Sequence, residues 1–148
     1  LISFNKLTNF QLYDILKLRN EIFVVEQNCI YLDTDDKDQN SQHILGYYNN
    51  ALVAYARVIN TAKNSDYIII GRVAVTKNFR NKNFGKLLML NAINNCFEIF
   101  KAKKIKISAQ EYLYKFYSDL GFLKVSEKYL EDGIPHIEMI LEKRITNL

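Results

Sequence analysis

The order of apolar runs in this 148-residue chain predicts an α+β fold around one mixed sheet. Three observations carry that reading. An apolar strand pattern at 68–75, a wide-faced helix at 84–100 and an alternating strand at 104–109 make a strand-helix-strand crossover, which implies parallel pairing and a right-handed connection. Two strands joined at Asn49-Asn50 precede the crossover, and two more, 122–129 and 136–142, flank a turn at 131–135 after it. The resulting order is β-α-β-β-β-α-β-α-β-β.

The elements follow from local patterns. After a short apolar strand candidate, Thr8-x-x-Gln11 forms a capping box with Leu7 and Leu12 placed as its hydrophobic staple, so the first helix starts there. Leu12, Ile15, Leu16, Ile22 and Phe23 keep helical spacing to about Gln27, and Arg19 and Glu26 fall on the same stripe. Those two residues are either satisfied at the edge of the stripe or mark a polar cleft beside it. An irregular acidic segment comes next, then HILGYYNN and ALVAYARVIN, joined through an Asn pair that tolerates the positive φ of a hairpin turn. The third strand, 66–75, contains Ile68-Ile69-Ile70 and so reads as covered on both faces, with Gly71-Arg72 suggesting a bulge or a close approach.

In the helix that follows, Leu88, Ala92, Cys96 and Ile99 form one stripe and Met89, Ile93, Phe97 and Phe100 the adjoining one, a face wide enough to cover a sheet. A short helix with Leu113, Phe116, Tyr117 and Leu120 stops at Gly121.

Composition limits the function classes. The chain is 49% hydrophobic with ten Tyr and nine Phe, which excludes intrinsic disorder, and its length fits a single domain over 1–148. No run of 18 apolar residues and no signal pattern occurs, so the expected location is cytoplasmic, with neither membrane nor export. Cys29 and Cys96 form no ligand cluster; no metal is expected, and Cys96 reads as core. The net charge of +4 is unevenly spread: Lys77, Arg80, Lys82 and Lys86 lie in a stretch without acids, whereas Asp33, Asp35, Asp36 and Asp38 share theirs with Lys37 alone. Lys101, Lys103, Lys104 and Lys106 at a helix end read as a solvated face, and no nucleic-acid partner is expected.

The segment from Arg80 through Asn81, Lys82, Asn83, Phe84 and Gly85 to Lys86 carries the most chemistry. A strand that breaks into a cationic turn and opens a helix gathers unpaired N–H groups and the positive end of a helix dipole at one point, which makes an anion cradle.

The signature Arg80, Asn83, Gly85, and Tyr117 ahead of Gly121-Phe122, resemble the GNAT superfamily of N-acetyltransferases. FVVEQNCIYLDTDD, HILGY, LVAYARV, IGRVAV and EDGIPHIEM are similar, in order, to its ElaA-like subgroup, so the resemblance runs from about Leu12 to Met139. It implies a mixed, mostly antiparallel sheet of six to seven strands with helices on both faces, and transfer of an acetyl group from acetyl-CoA to a small-molecule or peptide amine by direct attack. The alternative is an acyl-CoA-binding regulatory module without turnover.

By the same resemblance, the amides of residues 80–86 hold the CoA diphosphate and the backbone of Val73, Ala74 and Val75 pairs with the pantetheine arm. Gln110 stands where many members place a cofactor-contacting Asn. Asn83 replaces the usual glycine, and Asn tolerates the left-handed geometry needed there. Tyr117 is the implied general acid, against the simpler reading of a core tyrosine on an amphipathic helix. Glu26 and His43 are the candidate bases, with His136 and Glu111 as outsiders. The acidic segment can attract a cationic amine and Arg57 with Arg72 can hold a carboxylate, although solvated acids and structural arginines fit equally well. A homodimer remains open.

Overall fold

Thr8 heads the first helix as its sequence predicts. Its hydroxyl accepts from the Gln11 N–H at 3.1 Å while the Gln11 side chain accepts from the Thr8 N–H at 3.0 Å, which closes the capping box of α1 (Asn9–Arg19). The computed structural model, which describes residues 1–61 and 67–143, continues this helix through Asn20–Glu26 with wider π-type turns. Gln27 N–H bonds to the Ile22 carbonyl at 3.2 Å and Cys29 N–H to Val24 at 3.0 Å, each five residues back. The expected length to about Gln27 is correct. The extra residue per turn delivers Glu26 to a partner on another element instead of continuing the buried stripe.

One sheet organises the rest. Its strands are β1 (Ile2–Ser3), β2 (Gln42–Tyr48), β3 (Ala51–Asn60), β4 (Tyr67–Val75), β5 (Lys104–Gln110), β6 (Leu123–Lys124), β7 (Tyr129–Glu131) and β8 (Ile134–Glu142). They run in the order β1-β2-β3-β4-β5-β8-β6, with β7 also paired to β8. Among the described strands only β4 and β5 pair in parallel. The Asn49-Asn50 turn has φ of 48° and 63°, the doubly left-handed geometry that matches strand twist. The proposed start of the third strand at Asp66, and residues 144–148 of the expected single domain, lie outside the described residues.

The sheet has eight strands among the described residues, one more than the upper expectation. The predicted strand 122–129 divides because Val125 N–H still reaches the Glu138 carbonyl at 2.9 Å while the Glu138 N–H is taken by the Ser126 hydroxyl at 2.8 Å. A side chain replaces one rung of the ladder, and pairing resumes at Tyr129↔His136.

Helices cover both faces. α2 (Phe84–Glu98) and α3 (Tyr114–Asp119) press Leu88, Met89, Ala92, Cys96 and Tyr117 against Ile68, Ile70, Ile105, Ile107 and Met139. Cys96 is core as expected, and burial pushes its thiol up to about 12. On the other face α1 packs Ile15 and Leu18, and its π-helical continuation Ile22, against Tyr55 and Ala74. No helix among the described residues is long and apolar enough to cross a membrane.

Candidate active site

The sheet opens at its centre. β4 and β5 pair only from Tyr67↔Lys104 to Ile69↔Lys106, yet β4 runs on to Val75 and β5 to Gln110. Past Ile69, no strand among the described residues pairs with the β5-facing edge of β4. Val73, Ala74 and Val75 lie on this lip; Ala74 is anchored in the α1-side cluster, and Val73 and Val75 pack on the larger core.

A bulge bends the lip, as Gly71 suggested, but the left-handed residue is Arg72 at φ 50°. Such a conformation costs about 1–3 kcal/mol and must be held by its surroundings. Arg72 Nε donates to Asp33 at 2.8 Å and Nη2 to the Asp33 carbonyl at 3.2 Å, so the acidic segment grips the bulge. A Cβ on Gly71 would meet nothing within 4 Å.

The loop leaving β4 has the predicted character. Asn81 and Asn83 are left-handed at φ 58° and 65°, and Asn83 stands at the N-cap of α2 without a side-chain cap bond. The first capped amide is Leu87 N–H, bonded to the Asn83 carbonyl at 2.9 Å. The amides of Asn81, Lys82, Asn83, Phe84, Gly85 and Lys86 find no backbone acceptor among the described residues. Tyr48, Phe79 and Phe84 fix the loop to the β2–β3 hairpin, with ring centroids 5.2–6.0 Å apart, and Lys82 lies over Phe79 at 5.6 Å. A Cβ on Gly85 would sit 3.6 Å from Phe116 and 3.7 Å from Val75. Alanine fits there and a larger side chain fills the space.

Two predicted residues meet each other. Arg80 donates to both oxygens of Glu26, at 2.6 and 2.9 Å, and its Nε donates to the Val75 carbonyl at 2.9 Å. The Arg80 hydrogen bond holds the Glu26 carboxyl below its ordinary value despite partial burial. On the facing lip Gln110 and Gln27 exchange amide bonds of 3.0 and 3.4 Å. Two consecutive residues at the helix end, Glu26 and Gln27, therefore hold the loop after β4 and the end of β5 across the opening. Sequence reasoning missed Gln27.

Tyr117 lies on α3, packed in the larger core to which Val73 and Val75 also belong. It is 5% exposed, stands edge-on to Phe116 and Phe122, and its hydroxyl has no hydrogen-bond partner among the described residues. Burial raises its pKa, which keeps the phenol protonated at neutral pH. Tyr112, 74% exposed and also missed from sequence, lies within electrostatic range of both Arg80 and Tyr117.

His43 is not brought to this opening. It is 0% exposed and lies on β2, with β3 between it and β4; its ring nitrogens sit 2.8 Å from the Tyr55 hydroxyl and 3.0 Å from the Asp38 carbonyl oxygen. Burial lowers its pKa, so it is a neutral structural ring without access to a substrate proton. Of the outsiders, Glu111 pairs with Lys128 at 3.4 Å, and His136 Nδ1 is 2.8 Å from the Ile134 carbonyl oxygen.

The acidic segment does not offer free charge. Arg19, 0% exposed, bonds to Asp33 at 2.6 Å and Asp38 at 2.7 Å; Arg57 grips Asp35 at 2.6 and 2.7 Å and reaches Asp38 at 2.9 Å. Arg19 is thus satisfied beneath the stripe, and Arg57 and Arg72 are occupied by aspartates. Only Asp36 of the group has no charged partner among the described residues. The lysine cluster is likewise tied down in part, by Lys104–Glu142 at 2.8 Å and a Lys106–Glu138 pair.

Comparison with known proteins bears on the family and the fold. The family model described as an acetyltransferase (GNAT) domain matches residues 20–143. Protein ElaA of Escherichia coli K12 is 42% identical over 140 residues, covering 93% of this chain and 92% of that protein. The ElaA crystal structure superimposes with a TM-score of 0.90 at 40% identity, over 95% of this chain and 96% of that one. A crystal structure of an acyl-CoA N-acyltransferase from Pseudomonas aeruginosa gives 0.87 at 35% identity, over 94% and 95%.

Proposed function

This chain belongs to the GNAT acetyltransferase family, and we propose that it moves an acetyl group from acetyl-CoA to a primary amine, with both substrates bound together. The observation that carries the proposal is the Val73–Val75 edge, which no described strand covers, leading directly into a loop whose amides have no backbone acceptor among the described residues.

Those groups fit the donor. The amides of residues 81–86 receive its diphosphate at the head of α2, with Lys82 and Lys86 adding charge. Val73, Ala74 and Val75 pair with its arm as with an added strand, and one of their N–H groups polarises the thioester carbonyl. Gln110, released from Gln27, is a further contact. When bound, the donor supplies an activated acyl group as a thioester. The amine nitrogen bonds to the acyl carbon as the C–S bond breaks, and Tyr117 gives its phenolic proton to the departing sulfur. The proton lost by the amine goes to water or to Glu26, which becomes available once Arg80 turns to the diphosphate.

The test is thermal. Acetyl-CoA at a hundred times its Kd stabilises by about 2.7 kcal/mol, roughly 5–10 °C for a chain of this size. Replacing Gly85→Leu abolishes that shift while leaving the unliganded Tm near its original value. No shift with millimolar acetyl-CoA, measured by scanning fluorimetry, overturns the reading.

A further inference from the structure

One polar cluster beside the opening has no part in the donor site. β5 alternates: Ile105, Ile107 and Ala109 enter the core, whereas Lys106, Ser108 and Gln110 face the other side, and Ser108 is exposed in mid-strand. Ser108 lies two residues beyond the last rung to β4, so in the β4–β5 register it stands at the start of the opening, level with Gly71. Tyr129 and Glu131 of β7 reach over β8 to meet it. Ser108 Oγ donates to Glu131 Oε2 at 2.8 Å and also contacts the Tyr129 hydroxyl. A serine has one proton to give, so Tyr129 donates to Ser108 and Ser108 donates to the carboxylate. The relay points all its polarity at Glu131.

The charges around Glu131 define what completes it. On the adjoining elements Glu138 is neutralised by Lys106 and Glu111 by Lys128, and at the helix end Glu26 is held by Arg80, whereas Asp132 beside Glu131 extends the negative charge with no salt bridge among the described residues. Glu131 has no cationic partner among the described residues, and every cation in those pairs is already engaged. Arg57 and Arg72, the arginines read from the sequence as able to hold a carboxylate, are bound to Asp33, Asp35 and Asp38. The site therefore presents an anion with no complementary cation beside it. Cys29 Sγ lies 3.5 Å from the Asp132 carbonyl and so brings Ile30, 99% exposed, next to the turn that carries Glu131.

We propose that Ser108, Tyr129 and Glu131 form the ammonium subsite for the acceptor, and that the acceptor is a primary amine on an apolar stem bearing no carboxylate next to the nitrogen. This rests on the acyl-transfer reading and specifies its second substrate. A free amino acid would bring its carboxylate against Glu131 with no cation to receive it.

Phenethylamine and phenylalanine differ only in that carboxylate. Thiol release from acetyl-CoA by the intact chain should show a kcat/KM at least tenfold higher for phenethylamine. Glu131→Gln should raise the phenethylamine KM at least tenfold, leave the acetyl-CoA KM and the Tm unchanged, and narrow the gap between the two acceptors. A merely structural Glu131 would not move that ratio. Equal use of both acceptors, or transfer indifferent to Glu131→Gln, overturns the subsite while leaving acyl transfer standing. Acetyl-CoA binding without transfer to phenethylamine also overturns it, whereas absence of acetyl-CoA binding removes the acyl-transfer reading beneath it.

Discussion

The loop at 80–86 is purely cationic and the segment at 31–38 mainly acidic, and the fold treats them in opposite ways. In the acidic segment Asp33, Asp35 and Asp38 are enclosed by Arg19, Arg57 and Arg72. In the basic loop Lys82 and Lys86 stay exposed, and among the described residues six amides lack backbone acceptors and Arg80 alone of the loop's cations is in a salt bridge. A buried charge must find its partner within the protein, whereas an exposed one can wait for a ligand. The two regions are also coupled: Asp33 holds the Arg72 bulge that bends the β4 lip. One region consumes its charge to shape the opening and the other keeps it available there.

The division predicts that the largest effect of any single change falls in the enclosed network. Arg19→Met leaves Asp33 and Asp38 each short of a buried partner and should cost about 3–5 kcal/mol, measured as a lower urea midpoint. Acetyl-CoA should still raise the Tm of this variant; loss of that response with the fold intact would break the division between the regions. Acid tests the same pairs. Burial pushes Asp35 and Asp38 up, but Arg57 for the first and Arg19 with Arg57 for the second outweigh it and hold both below their ordinary values. Their stabilisation is complete above the unfolded carboxylate value near 3.9 and is lost as pH falls through the lower folded values. The urea midpoint should therefore drop from about pH 5 downward, and less steeply in Arg19→Met.

Next in size is Tyr117→Phe. Removing a general acid lowers kcat by about a hundredfold or more, and here acetyl-CoA binding should be unchanged because the hydroxyl has no partner among the described residues to lose. Full turnover without the hydroxyl would reduce Tyr117 to the core aromatic that its helical spacing also allows. A chain that binds acetyl-CoA but transfers to no amine in either form would instead be the regulatory module.

Local signals were legible because their causes are local. The Thr8–Gln11 box, the Asn49-Asn50 turn, left-handed Asn83 and the Gly121 stop, at φ 95°, each depend on a few adjacent residues. The parallel crossover follows from element order alone. What could not be read depends on distant partners: Glu26 and Arg80 are 54 residues apart, Gln27 and Gln110 are 83 apart, and the Ser126 substitution that divides the strand at 122–129 needs Glu138 opposite it. A usable signal for the network did exist. Arg19 lies on an apolar helix stripe and Arg57 within an apolar strand, and a nearby segment holds several aspartates to match such arginines. Reading those aspartates as a lure for cationic substrates treated them as surface groups, which the inward-facing arginines argue against. The candidate base His43 failed for a related reason, since sequence shows a titratable ring but not that both nitrogens are spoken for.

The smallest predicted effect concerns the one pair that crosses between the regimes. Glu26 and Arg80 are joined at two points, but each side chain is more than a third exposed, so the pair contributes about 0.2–1 kcal/mol. Glu26→Gln should free Arg80 for the diphosphate and tighten acetyl-CoA binding by no more than about fivefold, read by calorimetry. If Glu26 also takes the proton of the amine, kcat/KM for the acceptor falls and loses its acidic limb, because that limb then reports the Glu26 carboxyl. Tighter donor binding with an unaltered pH profile would confine Glu26 to restraining Arg80 until the donor arrives. Weaker donor binding would show instead that the pair prepares Arg80 in its binding position, with the Val75 carbonyl as the second fixed point.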